Sequence, residues 1–171
     1  SHDALALARA KDTRTFATGL ILVEPEGLTL VSDVDDTVKI SEVTDRKKLL
    51  RRRFAMPFEA VPGMGPLYAK WLDATSHLHF VSSSPWQLYP TLEEMMSQAG
   101  FPPSTSSLKR LRPRDVPPAV GDLLGDPFSS KPPQIRELLT RFPKRRFVLV
   151  GDSGEKDPEV YGLIARENPE R

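Results

Sequence analysis

Residues 28–39 read LTLVSDVDDTVK. A short apolar and β-branched run, Leu28 to Val31, ends abruptly in Asp33, Asp35 and Asp36, followed by a hydroxyl at Thr37 and a lysine at Lys39. The run predicts a buried strand. Strand side chains alternate between faces, so Asp33 and Asp35 can project together from its end. Carboxylates that close repel one another unless a cation stands between them, and an all-oxygen donor set suits a hard divalent ion such as Mg²⁺. The plain alternative is an acidic turn capping a helix, and the rest of the chain has to decide.

Four more strand candidates surround this one: TGLILVEP (18–25), LHFVSSS (78–84), SLKRLR (107–112) and RRFVLVGD (145–152). Segments of helical spacing lie between the later ones. In WQLYPTLEEMMSQAG (86–100), Leu88, Leu92, Met95 and Ala99 share a face, with Ser84-Pro85 as cap and first residue and Gly100 as the stop. Ile135, Leu138, Leu139 and Phe142 do the same in PPQIRELLTRF (132–142), and DPEVYGLIAREN (157–168) opens on Asp157 as its cap. Residues 112–131 are rich in proline and glycine and read as an ordered loop, in which Gly121, Asp122 and Asp126 imitate an acidic turn without a strand before it. Alternating strands and helices predict a layered α/β domain with parallel strands. Ligands of such sheets sit beyond the carboxyl ends of the strands, where strand order reverses. There LTLV runs into Asp33, LHFV into Ser82-Ser83-Ser84, and RFVLV into Gly151-Asp152.

The 171 residues carry 27% charged and 39% hydrophobic side chains and a net charge of +1, which suits a globular domain without general affinity for nucleic acid. The chain has no cysteine, so disulfides, thiolate metal sites and cysteine nucleophiles are excluded. No apolar run approaches the ~20 residues that span a bilayer. The opening SHDALALARAKD has no signal-peptide core. A cytoplasmic protein, peripheral at a membrane, is expected. His77 and His79 stand two apart on a strand and could ligate a metal together, but a satisfied pair is the simpler reading.

Ser82 at its strand end supplies a hydroxyl, and Lys131 ahead of the next helix supplies a positive charge, which together suit a phosphoryl group. Gly151-Asp152 and Asp157 complete an acidic wall. In this order SDVDDTVK, VSSSPWQLYP, Lys131 and LVGDSGEKDPEVY resemble the motifs of haloacid dehalogenase-like phosphohydrolases, and their wording resembles the catalytic domain of the actin-patch phosphatidate phosphatase family. The resemblance covers residues 28 to 171. A single catalytic domain is expected over residues 1–171, in which residues 1–27 match less clearly and read alternatively as the end of an upstream region.

The resemblance implies a three-layer, doubly wound, mostly parallel sheet with a small cap or none. It implies Asp33 as the nucleophile that forms an aspartyl-phosphate and Asp35 as general acid and then base. Mg²⁺ would be held by the carboxylates of Asp33 and Asp152 and the backbone carbonyl of Asp35, with Asp157 behind them. Ser82, with Ser83 sharing or replacing it, and Lys131 in preference to Lys109 would hold the phosphoryl oxygens, while Thr37 would fix the loop through backbone bonds. The implied reaction releases diacylglycerol and phosphate from phosphatidate. A phosphatase of a soluble phosphoester or phosphoprotein, a receiver domain and a non-catalytic lipid- or phosphate-binding module are the rival readings.

One further stretch bears on the lipid. Arg46, Lys47, Lys48, Arg51, Arg52 and Arg53 flank Leu49 and Leu50, and Phe54, Met56 and Phe58 follow. Such a segment suits an anionic lipid surface, or a solvated helix covering the site. It lies where this superfamily inserts caps, in a span of about 40 residues, too short for a large separate domain.

Overall fold

The computed structural model describes residues 24–40, 58–110, 127–154 and 156–171. In chain order its elements are β1 (Glu26–Asp33), α1 (Met64–Trp71), β2 (His77–Pro85), a 3₁₀ turn (Trp86–Leu88), α2 (Tyr89–Gln98), β3 (Ser104–Lys109), α3 (Pro127–Arg141), β4 (Lys144–Val150) and α4 (Asp157–Glu167). The four strands form a parallel sheet in the order β3-β2-β1-β4. The chain therefore builds outward from β1 in one direction and returns to its other side with β4. Strand order reverses at β1, the strand that carries the acids.

Alternation along the strands feeds two cores. Leu30, Leu78 and Phe80 pack with Tyr68, Leu92 and Met95 on one face, while Val31 and Val81 pack with Ile135, Leu139, Val160 and Ile164 on the other. Each such side chain, fully buried, contributes about 1.5–3 kcal/mol, so the strands are fixed in both register and facing. The expected layered α/β architecture is present. Its register positions the site: Asp33 lies opposite Val81, and Ser32 opposite Val150. Ser82 and Gly151-Asp152 thus emerge level with Asp33.

Several expected boundaries move. The candidate strand 18–25 falls outside the described residues except for Glu24 and Pro25, which precede β1. The strand expected at 107–112 instead spans Ser104–Lys109, pairing Leu78 with Ser104 and Val81 with Ser107. Its first four residues are all serine or threonine, so apolar periodicity could not find it. His77 Nε2 lies 2.7 Å from Thr105 Oγ1, and His79 bonds Thr105 at 2.6 Å and Ser107 at 3.0 Å. Both histidines are buried and satisfied, as the simpler reading expected; burial holds His79 neutral, pushing it down to about 3.

The helix expected to start at Ser84-Pro85 starts later, because β2 runs through Pro85. Pro90 then falls in the first turn of α2, where its missing N–H costs no helical bond. Gly100, at φ 73°, ends α2, with the Phe101 N–H donating to the Met96 carbonyl at 3.0 Å. The loop read over 112–131 is corrected at its far end. Helix α3 already begins at Pro127 and continues through Pro132 and Pro133, forfeiting the two backbone bonds their nitrogens cannot make. Those prolines imitate a helix start, and Lys131 consequently lies within α3 rather than ahead of it. The earlier part of that loop, Gly121, Asp122 and Asp126 included, lies outside the described residues.

Far from the acids, a buried arginine ties the opposite end of the sheet. Arg145 Nε donates to Thr29 Oγ1 at 2.8 Å, and its guanidinium reaches the carbonyls of Glu24, Glu26, Leu28 and Thr75. Gly27, at φ 113°, has no room for a Cβ, which would stand 2.3 Å from the Thr75 carbonyl oxygen. Arg145→Met keeps an apolar stem but strands these carbonyls. Urea titration is expected to show a loss of about 3 kcal/mol or more.

Candidate active site

β1 delivers Asp33 to the sheet's edge, and the chain then folds into a tight return. Asp36 takes the left-handed conformation at φ 58°, which aspartate tolerates better than most residues. The Asp36 N–H donates to the Lys39 carbonyl at 2.8 Å, and Val38 and Lys39 donate to the Val34 carbonyl at 3.1 and 2.9 Å. Bonds from Ile40 to Glu59 and from Val61 to Val38, 2.8 Å each, clamp the return from outside. Thr37 is buried here, but its hydroxyl makes no hydrogen bond. The loop is held by main chain, not by Thr37 as expected.

Within this edge the acids divide into two groups. One carboxylate oxygen each from Asp33, Asp152 and Asp157 can be chosen so that all lie within 4.8 Å of one another. Lys131 reaches in from α3, its Nζ 2.8 Å from Asp33 Oδ1 and bonded also to Asp157 Oδ1. Asp157 thus stands beside Asp33 and Asp152 in one cluster. It opens α4 after Lys156, so it is not the helix cap. Gly151 makes this approach possible, since a Cβ there would stand 2.1 Å from Asp157 Oδ2 and 2.7 Å from Tyr161. The Asp152 carboxylate is oriented by the Gly154 N–H, which donates to Oδ2 at 2.7 Å.

Asp35 stands apart from that trio. Its Oδ1 pairs with Lys39 Nζ at 2.5 Å, and its Oδ2 accepts bonds from Ser82 at 3.3 Å and Ser84 at 3.1 Å. The β2–β3 register shifts between Val81 and Pro85, which frees this stretch to serve the site. Ser82 and Ser84, two apart, turn to Asp35. Ser83 turns the other way and meets Ser130, the neighbour of Lys131, at 2.7 Å. Both serines proposed for phosphate therefore border the acids from different sides. Lys109, the passed-over lysine, ends β3 opposite Pro85.

The electrostatics of the site leave negative charge in excess. Burial, partly offset by Lys131 and reinforced by Asp35 and Asp157, pushes the Asp33 carboxyl up to about 8. Burial likewise raises Asp157 against the pull of Lys131, with the charge of Asp152 adding to it. Lys131 is itself raised, because its two carboxylate partners outweigh the burial that opposes them. One lysine cannot balance three carboxylates. Asp33 Oδ2 is buried and accepts no hydrogen bond. Orphaned carboxylate oxygens in a low-dielectric pocket are costly, and a hard cation bound by oxygen removes that cost. The donor set fits one.

Sequence reasoning placed Asp33, Asp35, Ser82, Ser83, Lys131, Asp152 and Asp157 at one edge, and the structure brings them together. It missed the partners. Ser84 was legible as the residue two beyond Ser82, and Lys39 as a lysine four beyond Asp35. Tyr161, which stands beside Gly151 and Asp157, carried no such signal. Of the basic stretch, residues 46–57 lie outside the described residues; Phe58 is half-buried and packs against the core beneath Lys39.

The family described as phosphatidate phosphatase APP1, catalytic domain, matches residues 28–171. Phosphatidate phosphatase APP1 of Saccharomyces cerevisiae is 35% identical over 152 residues, covering 86% of this chain and 25% of that protein. An uncharacterised protein of Schizosaccharomyces pombe is 26% identical over 164 residues, 94% of this chain and 26% of its own length. The chain spans about a quarter of the length of these relatives. No solved structure gives a significant match.

Proposed function

This chain belongs to the phosphatidate phosphatase APP1 catalytic-domain family, and on that premise we propose that it is a Mg²⁺-dependent phosphatidate phosphatase releasing diacylglycerol and phosphate. The observation that carries the reading is the buried Asp33 carboxylate, with one oxygen on Lys131 and the other without a hydrogen bond, inside the acidic cluster. That is an oxygen nucleophile beside a cation suited to phosphate.

In the proposed reaction an Asp33 oxygen forms a bond to phosphorus as the bond to the glyceryl oxygen breaks. Asp35 gives its proton to that departing oxygen, then takes one from the water that hydrolyses the aspartyl-phosphate. Lys131 moves from pairing carboxylates to neutralising the phosphoryl oxygens, which Ser82 and Ser83 hold from either side. Asp33, Asp152 and the Asp35 carbonyl are the groups that would hold Mg²⁺, with Asp157 beside them; the ion would neutralise the charge gathered on carboxylates and phosphoryl group. No helix among the described residues is long and apolar enough to cross a membrane. Phosphatidate would be met at a bilayer surface, with the basic residues 46–53 as the proposed contact.

Phosphate release from phosphatidate in mixed micelles, a sugar phosphate and a phosphopeptide tests the substrate. kcat/KM for phosphatidate is expected to exceed the others by about 100-fold. A sugar phosphate or phosphopeptide turned over faster would move the assignment to a soluble phosphoester or a phosphoprotein.

A further inference from the structure

We propose that Lys39 is a positioning residue for departure of the leaving group, holding the Asp35 carboxylate in the orientation from which it serves the scissile oxygen. The role rests on the reading of Asp35 as the acid and base of the proposed reaction. Lys39 is only 3% exposed, unusual for a lysine. Its ammonium stands 2.5 Å from Asp35 Oδ1 and 4.7 Å from the centre of the Phe58 ring. Its backbone is pinned through the return described above, and Lys39 bridges to Ala60 in antiparallel fashion.

The geometry is more than a buried ion pair needs for stability. Asp35 and Lys39 are four residues apart in one turn, so their contact ties no distant elements together. Buried ion pairs are also poor stabilisers beside apolar packing. The pair does one specific thing, which is to hold the carboxylate from the side opposite Ser82 and Ser84. Gripped at both oxygens, the carboxylate cannot turn about its last bond. The grip matters most once substrate is bound. Ser82, as a phosphate contact, must then turn from Asp35 to a phosphoryl oxygen, and Lys39 with Ser84 keeps the carboxylate in place. Without Lys39 the Oδ1 side of the carboxylate loses this partner.

The test compares two esters. An alkyl phosphate needs a proton on its departing oxygen, whereas 4-nitrophenyl phosphate releases a stable anion, so the transfer step depends little on Asp35 for the aryl ester. Hydrolysis of the intermediate is common to both esters, and the readout is therefore the single-turnover rate of leaving-group release. Lys39→Met is expected to lower that rate on the alkyl ester about 100-fold, with substrate affinity changed less than about threefold. On the aryl ester the loss of that rate should stay below about fivefold. Lys39→Arg keeps the charge but displaces it, and should show a smaller loss, again confined to the alkyl ester. Equal losses on both esters, or none on either, in whichever variant folds, overturn the proposal. Asp35→Asn separates the two levels. If it loses the alkyl reaction selectively while the Lys39 variants do not, the role of Lys39 alone falls. If it hydrolyses the alkyl ester like wild type, the acid assignment falls and takes Lys39 with it.

Discussion

Asp33→Asn is expected to lower phosphate release by about 10³-fold or more while leaving the metal-free protein at least as stable as wild type. The first half follows from chemistry: an amide oxygen does not displace an alkoxide from phosphorus, and Asp35, turned to Lys39 and two serines, is not placed to substitute. The second half follows from burial. A carboxyl raised from the ordinary 3.8 to about 8 is one whose protonated form the metal-free fold prefers. The stability associated with that preference is fully present below about pH 4 and is lost as pH rises through about 8. Asparagine has no charge to bury, so the variant should lose less stability over this window, and Lys131 still keeps Asp157. Urea titrations in EDTA at pH 5 and pH 8, beside phosphate assays, read both halves. A variant that remains active removes Asp33 as nucleophile. One that is inactive because it is unfolded at both pH values removes the account of its burial.

EDTA is expected to abolish turnover, and Mg²⁺ to restore it with an apparent affinity that climbs with pH. A cation entering the cluster must displace the proton that the raised Asp33 carboxyl holds below about pH 8. One proton displaced means about tenfold in affinity per pH unit, so binding at pH 7.5 should be about 100-fold tighter than at pH 5.5. Above about pH 8 the dependence should flatten. Calorimetry in buffers of different ionisation enthalpy counts the released protons directly. Asp152→Asn, which removes a carboxylate from the trio while leaving Asp33 in place, should weaken binding and leave the pH slope unchanged. Affinity independent of pH, or turnover indifferent to EDTA, would contradict the three-carboxylate site.

What could be read before folding was whatever apolar pattern and chemistry wrote into neighbouring residues. LTLV runs buried through the middle of the sheet and RFVLV forms its edge, with Val148 exposed, and in both the acidic end follows directly in sequence. β3 was misplaced because STSS gains its strand from histidines across the ladder, which local apolarity does not report. The start of α3 was misplaced because Pro132-Pro133 mimics a first turn. Within the site, residue types announced themselves, but their grouping did not. That Asp157 joins Asp33 directly depends on the absence of a side chain at Gly151, and that Asp35 belongs to Lys39 and the serines depends on the turn at Asp36. Both are tertiary facts carried by single backbone positions.

If the Asp33 carboxylate itself takes the phosphoryl group, peptide mapping of acid-quenched enzyme finds the group there. Asp35→Asn, which slows hydrolysis of the intermediate, is mixed with substrate and Mg²⁺, quenched in acid, digested and analysed by mass. The account predicts one added phosphoryl group on the peptide that contains Asp33, and none when Asp33→Asn is combined with it. Phosphoryl transfer to a serine, a histidine or another acid, with Asp33 unmodified, would contradict it.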